Sequence, residues 1–312
     1  MERQHHRALI ERCRDLRPLR TAVVHPVDEN SLLGAIAAAR QELIVPVFVG
    51  PREKIRVAAD KAGVELAPYE LIETEHSHAA ADKAVAMARA GEVEAIMKGA
   101  LHSDELLRPI VDQQRGLRTG RRISHVFVVD APSCPRLLFI TDAAVNVYPT
   151  LDDKRDIVQN AIDLAHALGI SVPKVAVLSA VETVTDKLRS TIDAAALCKM
   201  AERGQITGGL LDGPLAFDNA ISEQAARDKG ITSPVAGHAD ILVVPDLEAG
   251  NMLAKQLEYL GGAEIAGIVL GARVPVILTS RADKTAARLA ASAIALLLAR
   301  AGSIGHAPAQ LI

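Results

Sequence analysis

Short apolar runs rich in β-branched residues alternate with stretches of helical spacing along almost the whole chain. Residues 21–25, 44–49, 94–97, 124–129, 137–141, 174–178, 241–244, 265–270 and 274–278 have the length and bulk of buried strands. Between them, residues 31–41, 77–90, 103–112, 151–168, 190–202, 221–229, 249–260 and 283–301 place apolar side chains three and four apart. Strands separated by helices pair through crossovers, so this alternation predicts an α/β fold with a mostly parallel sheet. Local signals mark several boundaries. Thr150-Leu151-Asp152-Asp153 opens a helix with a hydroxyl and first-turn acids, a capping-box pattern. Gly169 follows the end of that helix, where a left-handed C-cap is expected. Gly50-Pro51 and Pro245-Asp246 end apolar runs.

The chain has 312 residues, long for one core and comfortable for two domains. Apolar residues make up 49% and charged residues 23%, an ordinary globular balance. The net charge is −3, with Lys and Arg scattered among Asp and Glu, so no basic face for nucleic acid is expected. There is no Trp, and Tyr and Phe are few, which leaves little surface for stacking on bases and a core of Ala, Val, Ile and Leu. Cys13, Cys134 and Cys198 form no CxxC pair, so neither a disulfide framework nor a metal site is expected, and a reducing compartment is the simple reading. Residues 1–20 lack the apolar core of a secretory signal. The apolar run 289–299 is too short to cross a bilayer and reads as a core-facing helix. A cytoplasmic protein without membrane or nucleic-acid partners is therefore expected.

Ligands of open α/β sheets sit beyond the carboxyl ends of strands, so the loops after strands are the places for chemistry. The sharpest is Leu278-Thr279-Ser280-Arg281-Ala282-Asp283, between an apolar run and an alanine-rich helix. Helix N-termini favour anions, and arginine adds a planar fork for phosphate or carboxylate. In Met97-Lys98-Gly99-Ala100-Leu101-His102-Ser103-Asp104, Gly99 permits close backbone approach and Ser103 can cap a helix. Lys98 and His102 there either meet an anion or are solvated. Thr141-Asp142-Ala143-Ala144-Val145-Asn146 ends a buried strand with polar groups, which orient a ligand or shape the loop. Residues 208–220 combine glycines with acids, a conceivable phosphate loop, but no GxxxxGK[ST] and no GxGxxG at the first βα turn is present. Asp246, Glu248 and Asn251 read as helix capping or, as the minor alternative, metal ligands. There is no GxSxG, no HExxH and no His beside Ser280, so a serine triad is not indicated.

Taken in order, these segments resemble the phosphate acetyltransferase and phosphate butyryltransferase family. The carrying pieces are Lys98-Gly99-Ala100-Leu101-His102-Ser103 with Leu107-Arg108-Pro109, then Thr141 to Asn146, Ser233-Pro234-Val235-Ala236-Gly237, Pro245-Asp246-Leu247-Glu248-Ala249-Gly250-Asn251 and Thr279-Ser280-Arg281. The resemblance implies two three-layer α/β/α domains with a cleft between them, like isocitrate and isopropylmalate dehydrogenases. The first domain would be discontinuous, 1–126 plus 272–312, and the second would be 127–271. A homodimer is implied as well. So is transfer of a short acyl group, acetyl or butyryl, between coenzyme A and inorganic phosphate. Coenzyme A is then a co-substrate, acyl phosphate the other product, and no resident cofactor or metal is needed. Ser280 and Arg281 match the pair that holds the acyl phosphate. Arg89 matches an arginine that meets the phosphate end. Lys98, His102, Ser103, Asp142, Asn146 and Asn251 fall on substrate-binding motifs. In the acetyl branch an aspartate stands seven residues after the serine as the thiol base. That position is Ala287 here, and Asp283 is the nearest carboxylate. The Thr-Ser-Arg-Ala-Asp form is more like the butyryl branch. Two alternatives are an NAD-dependent decarboxylating dehydrogenase of the same architecture and a non-catalytic acyl-CoA-sensing module. The first would need an aspartate cluster for a metal, and the second fits poorly with retention of Ser280 and Arg281.

Overall fold

The computed structural model describes residues 4–279 and 285–301. The chain opens with α1 (Gln4–Glu11), β1 (Leu19–Val24), α2 (Glu29–Arg40), β2 (Ile44–Gly50), α3 (Arg52–Ala62), β3 (Glu70–Glu73), α4 (Ser77–Arg89), β4 (Ala95–Lys98) and α5 (Ser103–Val111). Its middle holds β5 (Ser124–Asp130), β6 (Leu138–Thr141), α6 (Leu151–Ala167), β7 (Lys174–Leu178), α7 (Arg189–Glu202) and β8 (Leu210–Leu215). Then follow α8 (Phe217–Ile221), α9 (Glu223–Asp228), β9 (Ile241–Val243), α10 (Leu247–Tyr259) and β10 (Glu264–Leu270). It ends with β11 (Val276–Ile277) and α11 (Thr285–Ala301).

These elements form two compact units. The first joins His6–Thr119 to the segment from Ala272 onward, and the second is Gly120–Gly271 with Gln4 and His5. The cut after Thr119 leaves β5 whole, whereas a boundary at 126/127 would run through that strand. The first unit's strands run β3-β2-β1-β4-β11, every pair parallel. The late strand β11 lies beside β4, with Val276 opposite Ile96 and Ile277 opposite Met97. The second unit's order is β10-β5-β6-β9-β7-β8, and β5 is antiparallel to both its neighbours. The sheet there is mixed, because β6 follows β5 through a short connection that cannot cross over.

The near-absence of aromatics sets the packing style. Helices of small residues approach closely: α4 buries Ala80, Ala81, Ala84 and Ala88, and α11 buries Ala287, Ala290, Ala291, Ala293 and Ala295. In the second unit Val129, Leu138, Ile140, Leu242, Val244 and Leu215 form the core with Ala254 of α10. Caps follow the local chemistry. Thr150 and Asp153 make the reciprocal capping box of α6, and Gly169 takes φ +91° beyond its end.

The structure departs from the expected elements in several places. Residues 52–62 form a further helix, in which Ile55, Ala58 and Ala59 face inward and which Gly63 closes at φ +66°. The short edge strand β3 was hidden by its exposed Glu ends. The expected helix 221–229 is broken at Ser222, which caps α9 by accepting the Ala225 N–H. The strand expected over 274–278 is only two residues long.

Candidate functional site

At the carboxyl ends of β1, β4 and β11 the backbone is packed tightly. The Gly99 N–H donates to Val24 O at 2.9 Å and the Ala100 N–H to His25 O at 2.9 Å. A Cβ on residue 99 would lie 2.3 Å from Val24 O and 2.8 Å from His25 O, so only glycine fits this crossing. His25 has φ +54° and its Nδ1 sits 3.2 Å from Ala100 O. Burial lowers the His25 pKa, which favours the neutral ring.

Next to this crossing, Lys98 is buried and its Nζ donates to Thr279 O at 3.3 Å. Arg288, in the first turns of α11, is 1% exposed. Its Nη1 donates to Thr279 Oγ1 at 2.7 Å and to Lys98 O at 3.4 Å. Two cations thus converge on the residue that precedes Ser280 in the sequence. Ser280, Arg281 and Asp283 themselves lie outside the described residues. Ala287, where the resemblance would set an aspartate, is buried.

His102 occupies the N-cap of α5 without a side-chain cap bond, and Ser103 is the first helical residue, not the cap. Both side chains are exposed. Asp104 and Glu105 supply the acids of that first turn. The Ser77 hydroxyl beside Glu105 holds its carboxyl below the usual range. Arg89 ends α4, and its Nη1 donates to Arg115 O at 3.3 Å. With Arg108, Arg115, Asp82 and Asp112 it lines a cleft of about 510 Å³ between α4 and α5.

In the second unit Asp142 and Asn146 are turned upon their own loop. The buried Asp142 carboxylate accepts the N–H groups of Ala144 at 2.9 Å and Val145 at 3.0 Å, and the Asn146 amide. Burial pushes its carboxyl up, against these hydrogen bonds. Asn146 Nδ2 also donates to Ile123 O at 2.9 Å, and its Oδ1 accepts from Arg122 Nε at 2.7 Å. Asn251 Nδ2 donates to Ala143 O at 3.3 Å, tying α10 to the same loop. Gly250 lets that helix approach, since a Cβ there would lie 2.7 Å from Val244 Cγ2. Asp246 caps α10 through the Ala249 N–H at 2.9 Å. Asp142, Asn146 and Asn251, which the resemblance sets on substrate-binding motifs, hydrogen-bond within the loops after β6 and β9. Among the described residues no group of three His, Cys, Asp or Glu is placed to hold a metal.

The glycines of 208–220 serve packing, because Leu210–Leu215 is a strand and not a phosphate loop. A Cβ at Gly208 would meet the His166 ring at 2.6 Å, and one at Gly213 would meet Val177 O at 2.7 Å. Sequence reasoning passed over Arg288, Gly34 and His25. Arg288 left one signal: it is the lone charge among Ala and Leu on the apolar face of α11.

Comparison with known proteins follows the same segments. Residues 74–296 match the family model described as phosphate acetyl/butaryl transferase. The chain is 62% identical over 291 residues to the phosphate acetyltransferase of Rhizobium meliloti, covering 93% of this chain and 92% of that one. It is 41% identical over 291 residues to the phosphate butyryltransferase of Clostridium beijerinckii, covering 93% and 96%. The branched-chain phosphotransacylase of Enterococcus faecalis superposes with a TM-score of 0.78 at 28% identity, covering 90% of this chain and 99% of that one.

Proposed function

Because the chain belongs to the phosphate acetyl/butyryl transferase family, we propose that it transfers a short acyl group between coenzyme A and inorganic phosphate, with acetyl preferred. The observation that carries this is the 62% identity to a named phosphate acetyltransferase, against 41% to a named butyryltransferase. Supporting it is the packing of β11 beside β4, which sets Thr279 against Lys98 at the ends of parallel strands.

In the acyl-phosphate-consuming direction, the thiol of coenzyme A attacks the carbonyl carbon. The C–S bond forms, the C–O bond to phosphorus breaks, and phosphate leaves with the electron pair. A free thiol has a pKa near ~8.5 and is mostly protonated at neutral pH, so a base must take its proton. Asp283 is the carboxylate proposed for this. Ser280 donates to the carbonyl oxygen as charge develops there, and Arg281 holds the phosphate through two parallel N–H groups. Both substrates are bound together, so no acyl-enzyme is required. His102, Ser103 and Arg89, whose described surroundings leave them at surfaces or clefts, are the proposed outer contacts. A homodimer in the cytoplasm completes the reading. Exposed Met252, Tyr259 and Leu260 on and after α10 support self-association, and no helix of the described residues is long and apolar enough to cross a membrane.

The test is release of free thiol from acyl-CoA by the purified chain, dependent on added phosphate, with acyl groups from C2 to C6. Acetyl-CoA should give the highest kcat/KM. Butyryl-CoA outperforming acetyl-CoA would overturn the acetyl preference. Absence of phosphate-dependent thiol release with every acyl group would overturn the function.

A further inference from the structure

Arg288 is the most deeply buried charged side chain of the first unit, and the fold is shaped around it. Guanidinium groups are rarely left inside a protein unless hydrogen-bonded, because removing them from water is costly. Here the stem crosses α2 at Gly34, where a Cβ would lie 2.1 Å from Arg288 Cδ and 3.1 Å from its Nε. A glycine in a helix interior is unfavourable against alanine. Its presence within Glu29–Arg40, next to Ala35 and among other alanines, follows from the passage of this stem.

The guanidinium emerges at the carboxyl ends of β4 and β11. There it donates to Thr279 Oγ1 and Lys98 O, while Lys98 Nζ donates back to Thr279 O. The three residues close a triangle that fixes Thr279, shortly after β11, against Lys98 at the end of β4. In sequence these residues begin Thr279-Ser280-Arg281, proposed to hold the acyl phosphate, and Lys98 to Ser103, which falls on a substrate-binding motif.

We infer that Arg288, acting through Thr279 and with Lys98, is a positioning residue that sets the phosphate-binding end of the site. The inference rests on the transferase reading above. At 1% exposure Arg288 does not touch substrate. It holds Thr279 by its hydroxyl and, through Lys98, by its carbonyl. Its buried charge, with that of Lys98, favours an anion at the same strand ends. Substrate held slightly out of line reacts far more slowly, so losing the clamp should act on turnover and phosphate binding, not on coenzyme A binding.

The experiment uses the full chain and four variants: Arg288→Met, Arg288→Lys, Thr279→Val and Thr279→Ser. Thiol release from acetyl-CoA gives kcat and the two KM values. The melting temperature with and without millimolar inorganic phosphate gives a readout independent of turnover. Arg288→Met and Thr279→Val should lower kcat about 10- to 100-fold and raise the phosphate KM, with the acetyl-CoA KM within about twofold. Thr279→Ser should stay near wild type, and Arg288→Lys should recover part of the loss. The stabilisation by phosphate should shrink in Arg288→Met and Thr279→Val alike. A Thr279→Val chain with wild-type kcat, phosphate KM and phosphate stabilisation overturns the inference even if Arg288→Met fails to fold. A wild-type chain that releases no thiol overturns the transferase reading instead, and the phosphate-dependent melting of the variants still decides this one.

Discussion

His125 should make the protein acid-labile. It lies in β5, fully buried, with its ring edge-on to Phe127 at 4.3 Å between centroids. Neither ring nitrogen has a hydrogen-bond partner among the described residues. Burial alone pushes its pKa down to about 3. The unfolded chain takes up the proton near ~6.5 and the folded chain does not, so between these values the unfolded state binds more protons. Stability is therefore complete above about pH 6.5 and is lost as pH falls toward 3. At ~1.4 kcal/mol per pH unit, about 2 kcal/mol should be gone by pH 5.

His125→Leu keeps the volume roughly constant and removes both nitrogens, so it should be neutral or stabilising at pH 7. Urea unfolding at pH 7, 6 and 5 is the assay, followed by far-ultraviolet circular dichroism because the chain has no Trp. Asp142 titrates nearby with the opposite sign. Burial raises its pKa, so its contribution falls as pH rises through its own window. Asp142 is common to both chains and cancels in the difference. The wild type should lose about 2 kcal/mol more than His125→Leu between pH 7 and pH 5. Parallel losses in the two chains would refute the argument.

Three other outcomes follow from the same geometry. Gly99→Ala sets a methyl 2.3 Å from Val24 O, a backbone atom that cannot swing aside. It should destabilise by roughly 1–3 kcal/mol and depress activity, and a chain with unchanged melting would contradict the tight crossing. Lys154→Met leaves Asp193 buried without the Nζ 2.8 Å away, so denaturant titration should show a loss of about 3–5 kcal/mol. Lys154→Met with Asp193→Leu should recover most of it, and no recovery would place the loss in packing. Asp283→Asn should lower kcat about 100-fold and remove the acidic limb of the pH–rate profile if the carboxylate is the thiol base. Wild-type kinetics at every pH would leave it only a helix-dipole role.

The parts of the fold set by local pattern were legible in the sequence. Thr150 with Asp153, Gly169 and the apolar runs of β1, β5 and β7 carry their signals within a few residues. What escaped was decided by tertiary contact. The strand Leu210–Leu215 reads as a loop because Gly208, Gly209 and Gly213 suggest flexibility, yet each glycine makes room for a neighbour. Asp142 and Asn146 read as loop-shaping groups or as ligand groups, because polar side chains at a strand end serve either role. Nothing in a linear sequence tells whether a carboxylate's hydrogen bonds go to a ligand or to its own loop, as here to Ala144 and Val145.

The same limit explains why the supports of the site are harder to read than its contacts. In the sequence, Ser280 and Arg281 announce themselves by their chemistry between an apolar run and an alanine-rich stretch. Arg288 announces only an oddity, one charge on the buried face of an alanine-rich helix, and its counterpart is a glycine more than 250 positions earlier in the chain. Their meaning appears once α11 is laid on α2 and the stem is seen to need the space. Lys98 shows the inverse case. Its motif points to a substrate contact, but burial and its bond to Thr279 O make it part of the frame. A buried cation at a strand end can therefore serve a proposed anion site without touching the anion: its charge acts through the field, and its hydrogen bond holds Thr279.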